Sequence, residues 1–306
     1  MFPAVQPGPL KTYPGIWLIG AKGMLGRQLA LEFAGREFDF FASDLDVDIR
    51  SRQGLRDFVR GKKIRWMVNC AAYTAVNRAE AEPERAWAVN AAGVENLSLL
   101  AAELGARMIH FSSDYVFAGD VKEPYRENAQ PRPLSRYGWS KWQGEIKMAA
   151  ALGTFFLFRI SWLYGVYGPN FVQAMLKIFR EKETARVVND QFGAPTYAAV
   201  LAENIAGLIA SDSERFGVYH YCDRGSISWF DFAVATMEMG LEFGMIPKKI
   251  PLQAVPASKF PGAAARPEYS VLDCGKAVRE LGFQVHDWQL NLERFFREKA
   301  ALEETP

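Results

Sequence analysis

Short apolar runs alternate with stretches of helical spacing through the first half of the chain. Ile16–Ile19 is a compact apolar run and reads as a strand. Over residues 24–33 the apolar positions recur at helical intervals. Residues 38–42 then read as a second strand, 55–59 as a short helix and 64–68 as a third strand. Pro83 opens a long Ala- and Leu-rich helix that runs to about Leu104, and residues 107–111 and 154–160 are further strands. This rhythm predicts an α/β fold with a parallel sheet covered by helices on both faces. Past residue 165 the rhythm breaks, and Pro169, Pro195, Pro251, Pro256, Pro261 and Pro267 punctuate shorter elements. The expected organisation is a flexible extension over residues 1–14, a sheet domain over 15–165 and a smaller C-terminal lobe over 166–306 that can share strands with the first.

Composition narrows the function classes. The chain has 306 residues, 49% of them apolar, with 36 Lys plus Arg against 35 Asp plus Glu and a formal charge of +1. Such a chain folds rather than staying disordered. It has no basic surplus to neutralise phosphates, so binding nucleic acid by bulk charge is not expected. No run of about 18 apolar residues suggests a membrane span, and the first residues lack the apolar core of a secretory signal. Cys70, Cys222 and Cys274 are odd in number and scattered, which suits a reducing cytoplasm. The sequence has no metal-ligand spacing of the CxxC or HxxxH kind, so no metal site is expected.

Two motifs carry chemistry. Directly after the first strand stands Gly20-Ala21-Lys22-Gly23-Met24-Leu25-Gly26, a GxxGxxG loop that opens a helix. A backbone that must approach a pyrophosphate at a helix N-terminus needs such glycines, so a dinucleotide site is expected. An acid should follow at the end of the second strand to hold the adenosine ribose. Asp44 is at about the expected interval from Gly20, with Asp46 and Asp48 as neighbours. A carboxylate there favours NADH, while Lys22 can attract the 2′-phosphate of NADPH, so use of either cofactor is expected. The second motif, Tyr137-Gly138-Trp139-Ser140-Lys141, places a tyrosine and a lysine on one helix face. Lys141 can hold the nicotinamide ribose and lower the Tyr137 pKa, making the phenol a general acid. Ser113, at the end of the preceding strand, can donate to a substrate carbonyl.

Glycine loop, serine and YxxxK together resemble an extended short-chain dehydrogenase/reductase, a Rossmann-type doubly wound parallel sheet with a substrate-binding lobe. Longer segments resemble the dTDP-4-dehydrorhamnose reductase family. They are Asn69-Cys70-Ala71-Ala72-Tyr73-Thr74-Ala75-Val76, Ser112-Ser113-Asp114-Tyr115-Val116-Phe117, Ser161-Trp162-Leu163-Tyr164-Gly165, Asp190-Gln191-Phe192-Gly193-Ala194-Pro195-Thr196 and the segment from Ala265-Arg266-Pro267 to Asp273. The resemblance implies reduction of the C4 ketone of dTDP-6-deoxy-L-lyxo-4-hexulose by NADPH or NADH to dTDP-L-rhamnose. It implies Tyr137 as proton donor and Lys141 as ribose holder, with Ser113 where the family usually has threonine. Gly23, Met24 and Leu25 would meet the pyrophosphate, Asp44, Asp48 and Ile49 would flank the adenosine end, and Ala71, Ala72 and Tyr73 would line the cofactor. Ser113, Asp114 and Trp162 would contact the sugar nucleotide, and Arg266 is a candidate for its diphosphate. Asn77 departs from the family's aspartate, and the short loop after the second strand weakens the Asp44 and Asp48 matches. Two other readings compete. One is a non-catalytic dinucleotide-binding subunit similar to the regulatory β subunit of methionine adenosyltransferase. The other is a related nucleotide-sugar epimerase or dehydratase, and dehydration is disfavoured because no second carboxylate adjoins Ser113-Asp114. A cytoplasmic enzyme with a dTDP-sugar substrate follows, with homodimerisation left open.

Overall fold

The computed structural model describes residues 15–304, and the extension expected at 1–14 lies outside the described residues. The first half runs β1 (Ile16–Ile19), α1 (Met24–Gly35), β2 (Phe40–Ser43), α2 (Arg52–Val59), β3 (Trp66–Asn69), α3 (Val76–Ala79), α4 (Pro83–Trp87), α5 (Val94–Leu104), β4 (Arg107–Ser113), α6 (Arg136–Ala151) and β5 (Phe155–Ile160). The second half runs β6 (Leu163–Tyr164), α7 (Phe171–Glu181), β7 (Ala185–Val188), β8 (Phe192–Gly193), β9 (Thr196–Tyr197), α8 (Ala198–Ser211), β10 (Gly217–Tyr221), β11 (Ile227–Ser228), α9 (Trp229–Glu242), β12 (Leu252–Val255), α10 (Gly275–Leu281) and α11 (Trp288–Glu304).

Six strands form one sheet in the order β10-β5-β4-β3-β1-β2, every neighbour parallel. Successive residues of β1 serve opposite faces. Ile16 and Leu18 enter one core with α1 and α8, while Trp17 and Ile19 enter a second core with α2 and α5. Both faces are covered, which is why the strand is an unbroken apolar run. β2 and β3 flank β1, so the connection reverses direction there. The carboxyl ends of β1 and β3 open the crevice in which such sheets bind ligands. Gly217–Tyr221, from the stretch assigned to the smaller lobe, supplies the edge strand beside β5.

β2 and β3 each start two residues later than the apolar pattern, and one expected helix is interrupted. β2 starts at Phe40 because Phe38 closes the end of α1, its N–H donating to the Phe33 carbonyl and its ring packing on Phe33. The helix expected from Pro83 to Leu104 contains a π-helical segment at Ala88–Gly93. This turn brings Asn90 inward, where its side chain bonds both the N–H and the carbonyl of Tyr73 and donates to the Ser140 hydroxyl at 3.0 Å. Such bulges recur at functional sites, and this one joins the loop after β3 to α6.

Candidate active site

A cavity of about 1340 Å³ opens at the carboxyl ends of β1, β3 and β4. That exceeds the roughly 300–1,000 Å³ usual for one small-molecule site and leaves room for two ligands.

The glycine loop forms one wall. Gly20 leaves β1 at φ +76°, and a Cβ there would lie 2.6 Å from the Ala71 nitrogen, so only glycine makes the turn. A Cβ on Gly26 would meet the Gly20 carbonyl oxygen at 2.1 Å, so this glycine serves helix packing. Gly23 is different. Its added Cβ would find only the Gly20 oxygen, at 3.3 Å, and the residue lines the cavity with Met24, Leu25 and Gly26. It is also the N-cap of α1 and provides no side-chain cap, which leaves first-turn N–H groups for an anion. Gly23 is thus the open part of a cradle that fits a pyrophosphate.

The acids after β2 separate into distinct roles. The Asp44 carboxylate accepts the Lys22 N–H at 2.8 Å and the Leu45 N–H at 2.9 Å, which ties the glycine loop to the end of β2. Asp46 accepts the Asp44 N–H. Asp44, Asp48 and Ile49 do not join the cavity lining. Arg50 grips the Asp48 carboxylate and holds it below the usual carboxylate range, and the Ile49 side chain is buried in the core beneath Gly93. Ala71 and Ala72 line the cavity, whereas Tyr73 turns aside, its hydroxyl donating to Glu82.

The Tyr-Lys pair stands on α6, whose N-cap Ser135 accepts the Gly138 N–H at 3.1 Å. The Tyr137 phenol faces the Ser113 hydroxyl. Lys141 Nζ donates to the Phe111 carbonyl of β4 at 2.6 Å. The expected lowering of the phenol pKa by Lys141 is not what the site shows. Burial pushes Tyr137 up to about 12, against the lowering influence of the neighbouring Ser113 hydroxyl, and the Asp114 carboxylate adds to the rise. The phenol therefore keeps its proton, as a donor must. Burial also brings Lys141 down to about 8, while Glu145 one turn further along α6 holds it up. Glu145 is itself fixed, accepting from Ser112 Oγ at 2.5 Å and from Arg159 at 2.7 Å. Helix α6 and strand β4 are thus pinned together at Phe111 and Ser112, just before Ser113.

Asp114 is buried and accepts Ser270 Oγ at 2.7 Å and Ser113 Oγ at 3.0 Å. Burial pushes its carboxyl up to about 7. Trp162 and Arg266 complete the expected set in the lining. Arg266 Nη2 and the Ala264 N–H both donate to Asn77 Oδ1, at 3.0 and 3.1 Å, so the asparagine joins α3 to the 257–266 loop. The sequence reading missed Phe171, Trp229 and Arg186, which also line the cavity. Arg186 stands over the Phe260 ring at 5.9 Å. The signal for Trp229 was present as Ser228-Trp229-Phe230-Asp231, a helix-start pattern. Arg186 lies in an ordinary strand pattern and had none. Asp190, also in the lining, accepts the Ala257 N–H at 2.9 Å.

The family model described as the RmlD substrate binding domain matches residues 15–301. The chain is 36% identical over 290 residues to dTDP-4-dehydrorhamnose reductase of Escherichia coli strain K12, covering 92% of this chain and 97% of that one. It is 35% identical over 286 residues to dTDP-4-keto-6-deoxy-D-glucose reductase of Streptomyces niveus, covering 92% and 96%. The crystal structure of dTDP-4-dehydrorhamnose reductase from Bacillus anthracis strain Ames in complex with NADP superposes with a TM-score of 0.87 at 37% identity, covering 93% of this chain and 99% of that one.

Proposed function

Because the chain belongs to the RmlD substrate binding domain family, we propose that it is an NAD(P)H-dependent oxidoreductase acting on a dTDP-linked keto sugar. The reaction is reduction of the C4 ketone of dTDP-6-deoxy-L-lyxo-4-hexulose to dTDP-L-rhamnose. The observation that carries it is the convergence of the open Gly23 cradle and the Ser113-Tyr137-Lys141 group in one cavity of two-ligand size. The non-catalytic subunit reading is not favoured, since it calls for no proton donor beside the dinucleotide. Residues 15–165 hold the dinucleotide and 166–306 supply most of the sugar-nucleotide wall. Among the described residues no helix is long and apolar enough to cross a membrane. We place the reaction in the cytoplasm, where dinucleotide and nucleotide sugar are both present.

When bound, the dinucleotide supplies the hydride to the ketone carbon. Gly23 admits its pyrophosphate to the start of α1, and Ala71 and Ala72 border it. Lys141 holds the nicotinamide ribose with its ammonium. Ser113 Oγ positions the substrate carbonyl oxygen. Tyr137 Oη then gives its proton to that oxygen as negative charge develops, and the transfer runs downhill because the alkoxide left by hydride addition is a stronger base than the phenolate. Asp114 holds the Ser113 hydroxyl until the substrate enters and the one hydroxyl proton turns to the carbonyl oxygen, and Trp162 and Arg266 face the sugar and the diphosphate. Purified protein with NADPH and the keto-sugar nucleotide tests the assignment. Consumption of NADPH that depends on the sugar nucleotide is expected; its absence from folded, NADPH-binding protein would refute it.

The Lys141 ammonium is lost as pH rises through about 8. Below that value the charged form prevails and above it the neutral form, so kcat/KM for NADPH should fall above about pH 8, approaching tenfold per unit. A profile flat to pH 10 would remove the ammonium from the binding step.

Asp44 and Lys22 bear on cofactor choice. Asp44→Ala should shift the ratio of kcat/KM values toward NADPH by about tenfold, because it loses a contact to the NADH ribose and a repulsion toward the 2′-phosphate. Lys22→Ala should move the ratio the other way. If Asp44→Ala leaves the ratio unmoved, the ribose carboxylate is another residue.

A further inference from the structure

Trp162 stands on a backbone that tryptophan rarely adopts. Its φ is +46°, in the left-handed region. For a bulky side chain this is strain, and strain persists where the surroundings over-determine it, most often at ligand sites. Three contacts hold Trp162 there. The Thr196 N–H donates to its carbonyl. Trp229 stacks on its indole, with ring centroids 3.5 Å apart and planes at 11°. Gly193 leaves room for the ring, since a Cβ there would lie 2.5 Å from an indole carbon.

The position of Trp229 follows from local sequence. Ser228 Oγ accepts the Asp231 N–H at 3.1 Å, and the Asp231 carboxylate accepts the Ser228 N–H at 2.9 Å. This capping box fixes Trp229 as the first residue of α9. Just before it, β11 pairs antiparallel with β8, placing Ile227 opposite Gly193 and Ser228 opposite Phe192. One short ribbon therefore carries both the clearance for Trp162 and the ring that stacks on it. Phe171 packs against Trp229 at 4.6 Å. Neither indole is buried in the core. Both are half-buried and line the cavity that holds Ser113 and Tyr137.

We propose that Trp229, seated by the Ser228–Asp231 cap and the Gly193 ribbon, is a positioning residue that presets the Trp162 indole as a wall for the sugar ring of the nucleotide sugar. The inference rests on the proposed reductase reading, which places the sugar beside Trp162. A wall set before binding spares the ligand the cost of ordering it. Because the wall touches ground state and transition state alike, it acts on KM and not on kcat.

The test uses Trp229→Ala, Trp229→Phe and Gly193→Ala. Two indoles stacked face to face couple their excited states and give a couplet in far-ultraviolet circular dichroism, which a single indole does not. Wild type should show the couplet, and dTDP-L-rhamnose, which carries the sugar ring, should perturb it. Trp229→Ala should lose the couplet and raise KM for the keto-sugar nucleotide by about tenfold, with kcat and the KM for NADPH within about twofold of wild type. Trp229→Phe should restore KM to within about threefold without restoring the couplet, since a ring still backs the wall. Gly193→Ala should weaken the couplet and raise KM with Trp229 intact, and it carries the test if Trp229→Ala does not fold. The proposal is overturned if wild type lacks the couplet, if Trp229→Ala keeps its KM, or if kcat falls in proportion. Should wild type fail to reduce the keto sugar, the reductase reading falls separately. The stack is then judged by binding of dTDP-L-rhamnose alone, and a couplet indifferent to that ligand overturns it.

Discussion

Tyr137→Phe is expected to lower kcat by about 10²-fold or more while leaving NADPH affinity nearly unchanged. The phenol acts only as the substrate oxygen gains charge, so its loss appears in the transition state, a deficit of at least about 2.7 kcal/mol. The variant should fold normally. The Tyr137 ring packs edge-on to Tyr115 at 6.0 Å among Ala79 and Ala86, and phenylalanine keeps all of that. Ser113, the partner of the lost hydroxyl, still has the Asp114 carboxylate. Single-turnover rates and an NADPH titration separate the two effects. Activity within about threefold of wild type would remove Tyr137 as proton donor.

Gly23→Val is expected to abolish dinucleotide binding without unfolding the protein. Gly23 has φ −68° and ψ 169°, an extended conformation that valine adopts readily. Its Cβ would touch only the Gly20 carbonyl oxygen, so the methyl groups are left to occupy the space the pyrophosphate needs. The same change at Gly26 would force a Cβ to within 2.1 Å of that oxygen and should disrupt the loop itself. Fluorescence titration with NADH and NADPH, beside a thermal melt, distinguishes the cases. Unchanged affinity for both cofactors would make the loop purely structural.

The parts of the molecule that were legible in the sequence are those governed by short-range physics. The unbroken Ile16–Ile19 run, the glycines after it and the four-residue step from Tyr137 to Lys141 each report a local constraint: burial on both sheet faces, a tight turn and a shared helix face. The π-helical turn at Ala88–Gly93 was not legible, because its cause is Asn90 reaching Tyr73 and Ser140, contacts made across the fold. The same holds for the electrostatics. The YxxxK spacing suggested a lysine lowering a tyrosine, but spacing says nothing of burial, and burial decides the direction at Tyr137. Asp48 matched the expected position and was lost to Arg50, two residues away. Arg186 and Phe260 come together only when the 257–266 loop folds over β7, so no motif announced them.

The central claim is that one cavity delivers a hydride from the dinucleotide and a proton from the protein to the same ketone. The most direct measurement is turnover of dTDP-6-deoxy-L-lyxo-4-hexulose with NADPH deuterated at the nicotinamide carbon that gives up the hydride, followed by mass and NMR analysis of the sugar. The account predicts dTDP-L-rhamnose carrying one deuterium, at C4 and nowhere else, and almost no product from Tyr137→Phe. Product without deuterium, deuterium at another carbon, or no product from folded enzyme that binds NADPH would contradict it.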